Sequence, residues 1–129
     1  MDSNTVDTHI STYMPNAEMF TEINDDEIAR IVCETITDIK NRVREFLAKE
    51  FLINSMTLNA IKNDINRIIK RERKKLFGKI VETKGQEWIS KNTDEGKRRQ
   101  KIIKGIIEDV ENHLHRMTAV IKTAKQMAN

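Results

Sequence analysis

The sequence predicts an all-α fold: three long amphipathic helices in a bundle or hairpin, behind a flexible acidic N-terminal arm. Apolar residues recur at spacings of three and four along most of the chain, which is the helical period. The 129 residues hold four glycines and one proline, Pro15, too few for the many turns of a β-sandwich or barrel. A single cysteine cannot build a disulfide framework. The length suits one domain, with residues 1–23 as the arm and 24–129 as a single helical domain.

The arm is rich in Ser, Thr, Asn and Asp and shows no period. It cannot bury enough apolar surface to offset its ordering entropy, although Met14, Met19 and Phe20 are able to dock on the body. The first helix is expected over 24–52. Asn24-Asp25-Asp26-Glu27 places a capping side chain and acids where the helix dipole favours them. Ile28, Val32, Ile36, Ile39, Val43 and Phe46 then form a stripe that Ile31, Leu47 and Phe51 widen. The second helix is expected over 56–77, with Leu58, Ile61, Ile65, Ile68 and Ile69 on one face. Gly78 and Gly85 weaken the case for its continuing. The third is expected over 94–127, capped by Thr93 or Asp94. Ile103, Ile107, Val110, Leu114, Met117, Ile121 and Ala124 step by four and three without a break, a regularity that suggests coiled-coil-like packing. Between the last two helices, Lys79–Ile89 offers either a small β-hairpin, like the wing of a winged helix-turn-helix module, or an irregular helix or loop with Trp88 packed on the core. The second reading is preferred because neither apolar pair alternates strictly.

Few residues point to catalysis. His113 and His115 stand two positions apart on a helix, so they face opposite sides and cannot share a metal. One cysteine and three scattered histidines supply no zinc pattern. Cys33 has no base near it in sequence to activate it, so it reads as a packed thiol. Phosphate-binding glycine loops and the Gly-x-Ser-x-Gly elbow are missing. The expectation is a protein that is not an enzyme and needs no cofactor or metal. No apolar run approaches the ~18 residues of a membrane span. Met1–Phe20 lacks the basic start and apolar block of a signal peptide, so an intracellular location, cytoplasmic or nuclear, is expected.

Charge is the informative feature. The net charge is +3, but residues 1–30 carry seven acids and one base, whereas residues 67–104 carry fourteen bases and five acids. One basic cluster, Lys70, Arg71, Arg73, Lys74, Lys75 and Lys79, closes the second helix. Another, Lys97, Arg98, Arg99, Lys101 and Lys104, opens the third, where cations oppose the helix dipole. In an antiparallel hairpin the two clusters converge at one end of the molecule. A nucleic acid, DNA or RNA, is the partner this predicts, bound through its phosphates. Lys97, Arg98 and Arg99 are the expected centre of the contact. The acidic arm is a candidate to fold over them. A homodimer is expected through Val110, Leu114, Met117 and Ile121. The alternative function is a helical scaffold, adaptor or regulatory subunit whose main partner is another protein. Small basic helical chains of this kind are common among viruses, phages and mobile elements, an association of size and composition only.

Overall fold

The computed structural model describes residues 17–128. Among them the chain forms α1 (Ala17–Ile23), α2 (Asp26–Leu47), α3 (Glu50–Ser55), α4 (Leu58–Lys84), a single 3-10 turn (Gln86–Ile89) and α5 (Asp94–Ala128), with no strand. The all-α expectation holds. Its three helices become five, and the β-hairpin is not formed.

Each difference has a local cause. Residues 1–16 of the expected arm, and so its fold-back over the basic residues, lie outside the described residues. The remainder of the arm is helix α1, whose last residue, Ile23, is buried. Asn24 then adopts φ 52°, a left-handed conformation that Asn tolerates better than most residues. Asp25, not Asn24, caps α2 by accepting from the Ile28 N–H at 3.1 Å. The first long helix ends at Leu47 instead of 52. A turn at Ala48 and Lys49 redirects the chain into α3 and brings Ile53 into the core. Thr57 caps α4 through the Ala60 N–H. α4 runs straight through Gly78, because burying Leu76 and Ile80 outweighs a helix penalty of about 1 kcal/mol. It stops at Gly85, whose φ 85° and ψ 163° belong to a region reserved for glycine. α5 starts where expected, with Thr93 accepting from the Gly96 N–H at 3.0 Å.

Contacts between helices set the course of the chain. Arg42 pairs with Glu72 and Asp25 with Lys84, so α4 runs antiparallel to α2. His115 on α5 meets Asn66 on α4 at 2.7 Å, so α5 turns back again. The short helices α1 and α3 both pack on α5. Lys122, buried, donates to the Ile53 carbonyl at 2.9 Å and satisfies an otherwise orphaned group near the end of α3. The core is a single isoleucine-rich seam, built from Ile28, Val32, Ile36, Ile39 and Val43 of α2, Ile61, Ile65, Ile69, Leu76 and Ile80 of α4, and Ile103, Ile107, Val110, Leu114 and Ile121 of α5. The stripe on α5 is rotated slightly from its expected line. Ile106 and Thr118 are buried, Met117 is half-buried and Val120 is exposed. Thr118 avoids a desolvation cost by donating to the Leu114 carbonyl.

The turn between α4 and α5 depends on two glycines. Gly85 supplies the conformation, and a Cβ on Gly96 would overlap the Ser90 carbonyl oxygen. Gly85→Ala and Gly96→Ala should each destabilise the protein by about 1–3 kcal/mol. Gly78→Ala, where a Cβ meets open space, should stabilise it by about 0.5–1 kcal/mol. Urea unfolding followed by helical circular dichroism measures all three.

A pH dependence follows from the Asp25 cap. Partial burial pushes its carboxyl up, but hydrogen bonds from Lys84 and the Ile28 N–H outweigh this and hold it below the ordinary aspartate value. A lowered folded-state value gives stability that is present above the unfolded pKa of ~3.9 and is lost as pH falls through the folded value. Lys84 behaves oppositely. Its hydrogen bond to Asp25 raises it, so its contribution is present at neutral pH and lost in strong alkali. Asp25→Ala should cost about 1 kcal/mol at neutral pH. It should also flatten the loss of stability between pH ~5 and pH ~2 in acid titrations of the melting temperature.

Candidate nucleic-acid interface

The eleven basic residues of the two clusters meet in part, but they do not form a single patch. The helical period sorts them onto different faces. On α4, Lys70, Arg73, Lys74 and Phe77 line a depression that Lys104 and Glu108 of α5 close from the other side. A second depression, lined by Lys97, Gln100, Lys101, Lys104, Gly105 and Glu108, adjoins it. Lys104 and Glu108 border both, so the two form one open groove along the flank of the α4–α5 pair. Its rows, Lys70, Lys74 and Phe77 on α4 and Lys97, Lys101 and Lys104 on α5, repeat at i, i+4, i+7, the spacing of one helix face.

Six cations thus face one groove: Lys70, Arg73, Lys74, Lys97, Lys101 and Lys104. Glu108 is the only acid among the lining residues. Among the described residues none of the six enters a salt bridge within 4.0 Å. Six like charges on one face repel one another, and their mutual proximity lowers the cost of binding an anion.

The other five predicted cations lie elsewhere. Lys75 lies on the side of α4 that faces α2, 3.5 Å from the buried Glu72 carboxylate. Lys79 is exposed one turn further along. Arg71 borders a groove of mixed charge between α2 and α4, with Arg42, Glu45, Phe46, Lys49, Ile68 and Glu72. Arg98 and Arg99 are committed to internal contacts, Arg98 to α1 and the first turn of α5, and Arg99 to the α4–α5 connection. Arg98 grips the Glu95 carboxylate with two donors, at 3.3 and 3.2 Å, and reaches the Glu22 carbonyl at 3.4 Å. That grip lowers the Glu95 carboxyl below its ordinary value. The Arg99 guanidinium stacks 4.7 Å from the Trp88 ring centroid and donates to the Trp88 carbonyl at 3.2 Å. Trp88 does pack back on the core, held there by Arg99. Of the expected central trio, only Lys97 belongs to the groove.

Four groove residues have no counterpart in the expected site, Phe77, Gln100, Gly105 and Glu108, and two of them stand out. Phe77 reads in the sequence as part of a weak apolar line, yet in the fold it stands in the cationic wall. Gly105 lies inside a helix with open space where its Cβ would stand. It costs α5 about 1 kcal/mol relative to alanine and leaves the backbone uncovered beside Lys101 and Lys104. Density of charge along the chain conceals this arrangement, whereas the i, i+4, i+7 spacing of the lysines reveals it.

The remaining chemistry-bearing groups are quiet. Cys33 is half-buried, and burial, aided by the neighbouring Glu34, pushes its thiol up, away from a nucleophilic thiolate. His115 is occupied with Asn66 and lies 3.7 Å from Glu111. Among the described residues no three His, Cys, Asp or Glu side chains gather as a metal site requires, and no helix is long and apolar enough to cross a membrane. Comparison with protein-family models, curated proteins and solved structures finds no match for this chain.

The division between committed and uncommitted cations is measurable. Arg99→Ala should lower stability by about 1–2 kcal/mol through loss of the Trp88 contacts. Lys101→Ala should change it by no more than ~0.5 kcal/mol. Thermal unfolding of the two variants side by side tests the distinction.

Proposed function

We propose that this protein is a small nucleic-acid-binding protein that holds phosphates in the groove between α4 and α5. The observation that carries the reading is the convergence, on one face, of six cations with a single opposing carboxylate in the groove and no salt-bridge partner among the described residues. The ordinary fate of a surface lysine is solvation or a weak pair with a nearby acid. Here acids are close in sequence, yet Glu72 and Glu95 are taken up by Arg42 and Lys75 and by Arg98 and Arg99. Phosphates neutralising the groove would release condensed counterions and so gain affinity at low salt. The protein acts by binding and not by catalysis in this reading, with no cofactor or metal.

A scaffold or adaptor that docks a partner on an apolar face has less support. Among the described residues, Val120, 46% exposed, is the one large apolar side chain left uncovered. The expected dimer stripe is spent inside the chain, since Val110, Leu114 and Ile121 are fully buried in the monomer and Met117 is half-buried.

A salt titration of binding tests the reading. Lys74→Ala and Lys104→Ala should each reduce the slope of log K against log salt by up to ~0.9 on duplex DNA, or ~0.7 on a single strand. Arg98→Ala should leave the slope unchanged. Unaltered affinity and slope in folded groove variants would move the preference to a protein partner.

A further inference from the structure

Resting on that reading, we propose that the groove takes a single strand of nucleic acid in preference to a duplex, with Phe77 as the platform on which a base stacks. The first argument is shape. Lys70, Arg73, Lys74 and Lys104 line a concavity between two packed helices, and the depression continues along α5 past Lys101 to Lys97. A helix with its side chains is ~10–12 Å wide, so the pair together is far wider than the major groove of B-DNA, ~12 Å across. The α4–α5 pair therefore cannot enter that groove, and a stiff convex duplex would meet only the rims of the concavity. A flexible single strand can lie along its floor. From Lys97 to Glu108 the α5 side runs for about 16 Å at the helical rise, the length of roughly five nucleotides at 3.4 Å each.

The second argument is the aromatic ring. The half-buried aromatics differ in their surroundings. Trp88 is covered by Arg99, and Phe46 borders the groove of mixed charge with Glu45 and Glu72. Phe20 lines neither depression, and Phe77 alone of the four lies in a wall of cations, among Lys70, Arg73, Lys74 and Lys104. Its inner edge packs on the core and its remaining surface lines the groove. Phosphate binding by itself has no use for an aromatic ring there. A base stacked on it, with its phosphates on the flanking lysines, uses both features, and the contact is tolerant of sequence because every base offers a flat face. Gly105 completes the arrangement. With no atom within 4 Å of its absent Cβ, it lets a strand approach the α5 backbone beside Lys104, one turn beyond Lys101. Glu108 repels phosphate and so marks one end of the track.

The test compares the full chain on three probes at the same ionic strength: a short oligothymidylate, a base-free deoxyribose-phosphate strand of equal length, and a duplex of equal length. The oligothymidylate should bind about tenfold more tightly than the base-free strand, the scale of one stacked base, and more tightly than the duplex. Phe77→Leu, which keeps apolar packing on the core, should remove that tenfold preference while leaving the base-free strand's affinity and its salt slope in place. Phe77→Tyr should restore the preference. If all three probes bind wild type equally, or if Phe77→Leu keeps the preference, stacking at Phe77 is refuted while phosphate binding by the groove stands. Tighter binding of the duplex overturns the single-strand assignment. If none of the probes binds at low salt, the nucleic-acid reading itself falls.

Discussion

The structure depends on burying the apolar stripe of α5. Thirty-five residues of helix are far too long to be held by local propensity, so α5 acquires its stability from what packs along it. α4 and the 3-10 turn lie against it most extensively, α1, α2 and α3 add the rest, and α2 packs chiefly on α4. Isoleucine dominates this seam. Its branched side chain leaves little rotamer freedom to lose in a helix and so adds little further entropy cost on packing. Once the seam is spent within one chain, Val120 is the one large apolar side chain among the described residues left exposed, and charge dominates the groove.

That packing also decides which charges are available. The tight return from α4 to α5 needs a glycine conformation at Gly85, a close approach at Gly96 and a clasp made by Arg99 on Trp88, while Arg98 holds Glu95 and the Glu22 carbonyl of α1. These two arginines look like the strongest anion ligands in the chain, yet they are structural. On the other side of α4, Glu72 is almost fully buried, with Arg42 Nε 2.8 Å from Oε1. The guanidinium N–H is not aimed at that oxygen, which has no formed hydrogen bond. The pair is held by charge, and Lys75 adds to it. A buried carboxylate of this kind costs desolvation, and its pair with Arg42 links α4 to α2. The residues left over, mostly lysines, are long, hydrated and unconstrained, and they collect where neither clasp nor pair claims them.

Much of the fold was legible in the sequence, for reasons visible in particular residues. The step of Ile103, Ile107, Val110, Leu114 and Ile121 is helical whatever surrounds it, and α5 begins at Asp94 as its cap residues indicate. The aliphatic stripe of α2 is buried as its spacing requires, with Phe46 half-buried at its edge. Gly78 misled because its penalty is small and local, whereas the burial of Leu76 and Ile80 that overrides it is tertiary. The turn at Ala48 was hidden for the same reason, since it exists to deliver Ile53 to α5 and Lys122. Asn24 and Asp25 are both capping types, and only the backbone geometry assigns one to the left-handed turn and the other to the cap.

The sequence by itself determined an all-α chain whose basic residues cluster between positions 67 and 104, because periodicity and charge are properties of order along the chain. Only the tertiary structure decided which of those bases act together. Adjacent positions on a helix are separated by about 100°, so Lys97 and Arg98, neighbours in sequence, point to a groove and to α1. Lys74 and Lys104, thirty positions apart, border the same groove because α4 and α5 pack side by side in antiparallel register.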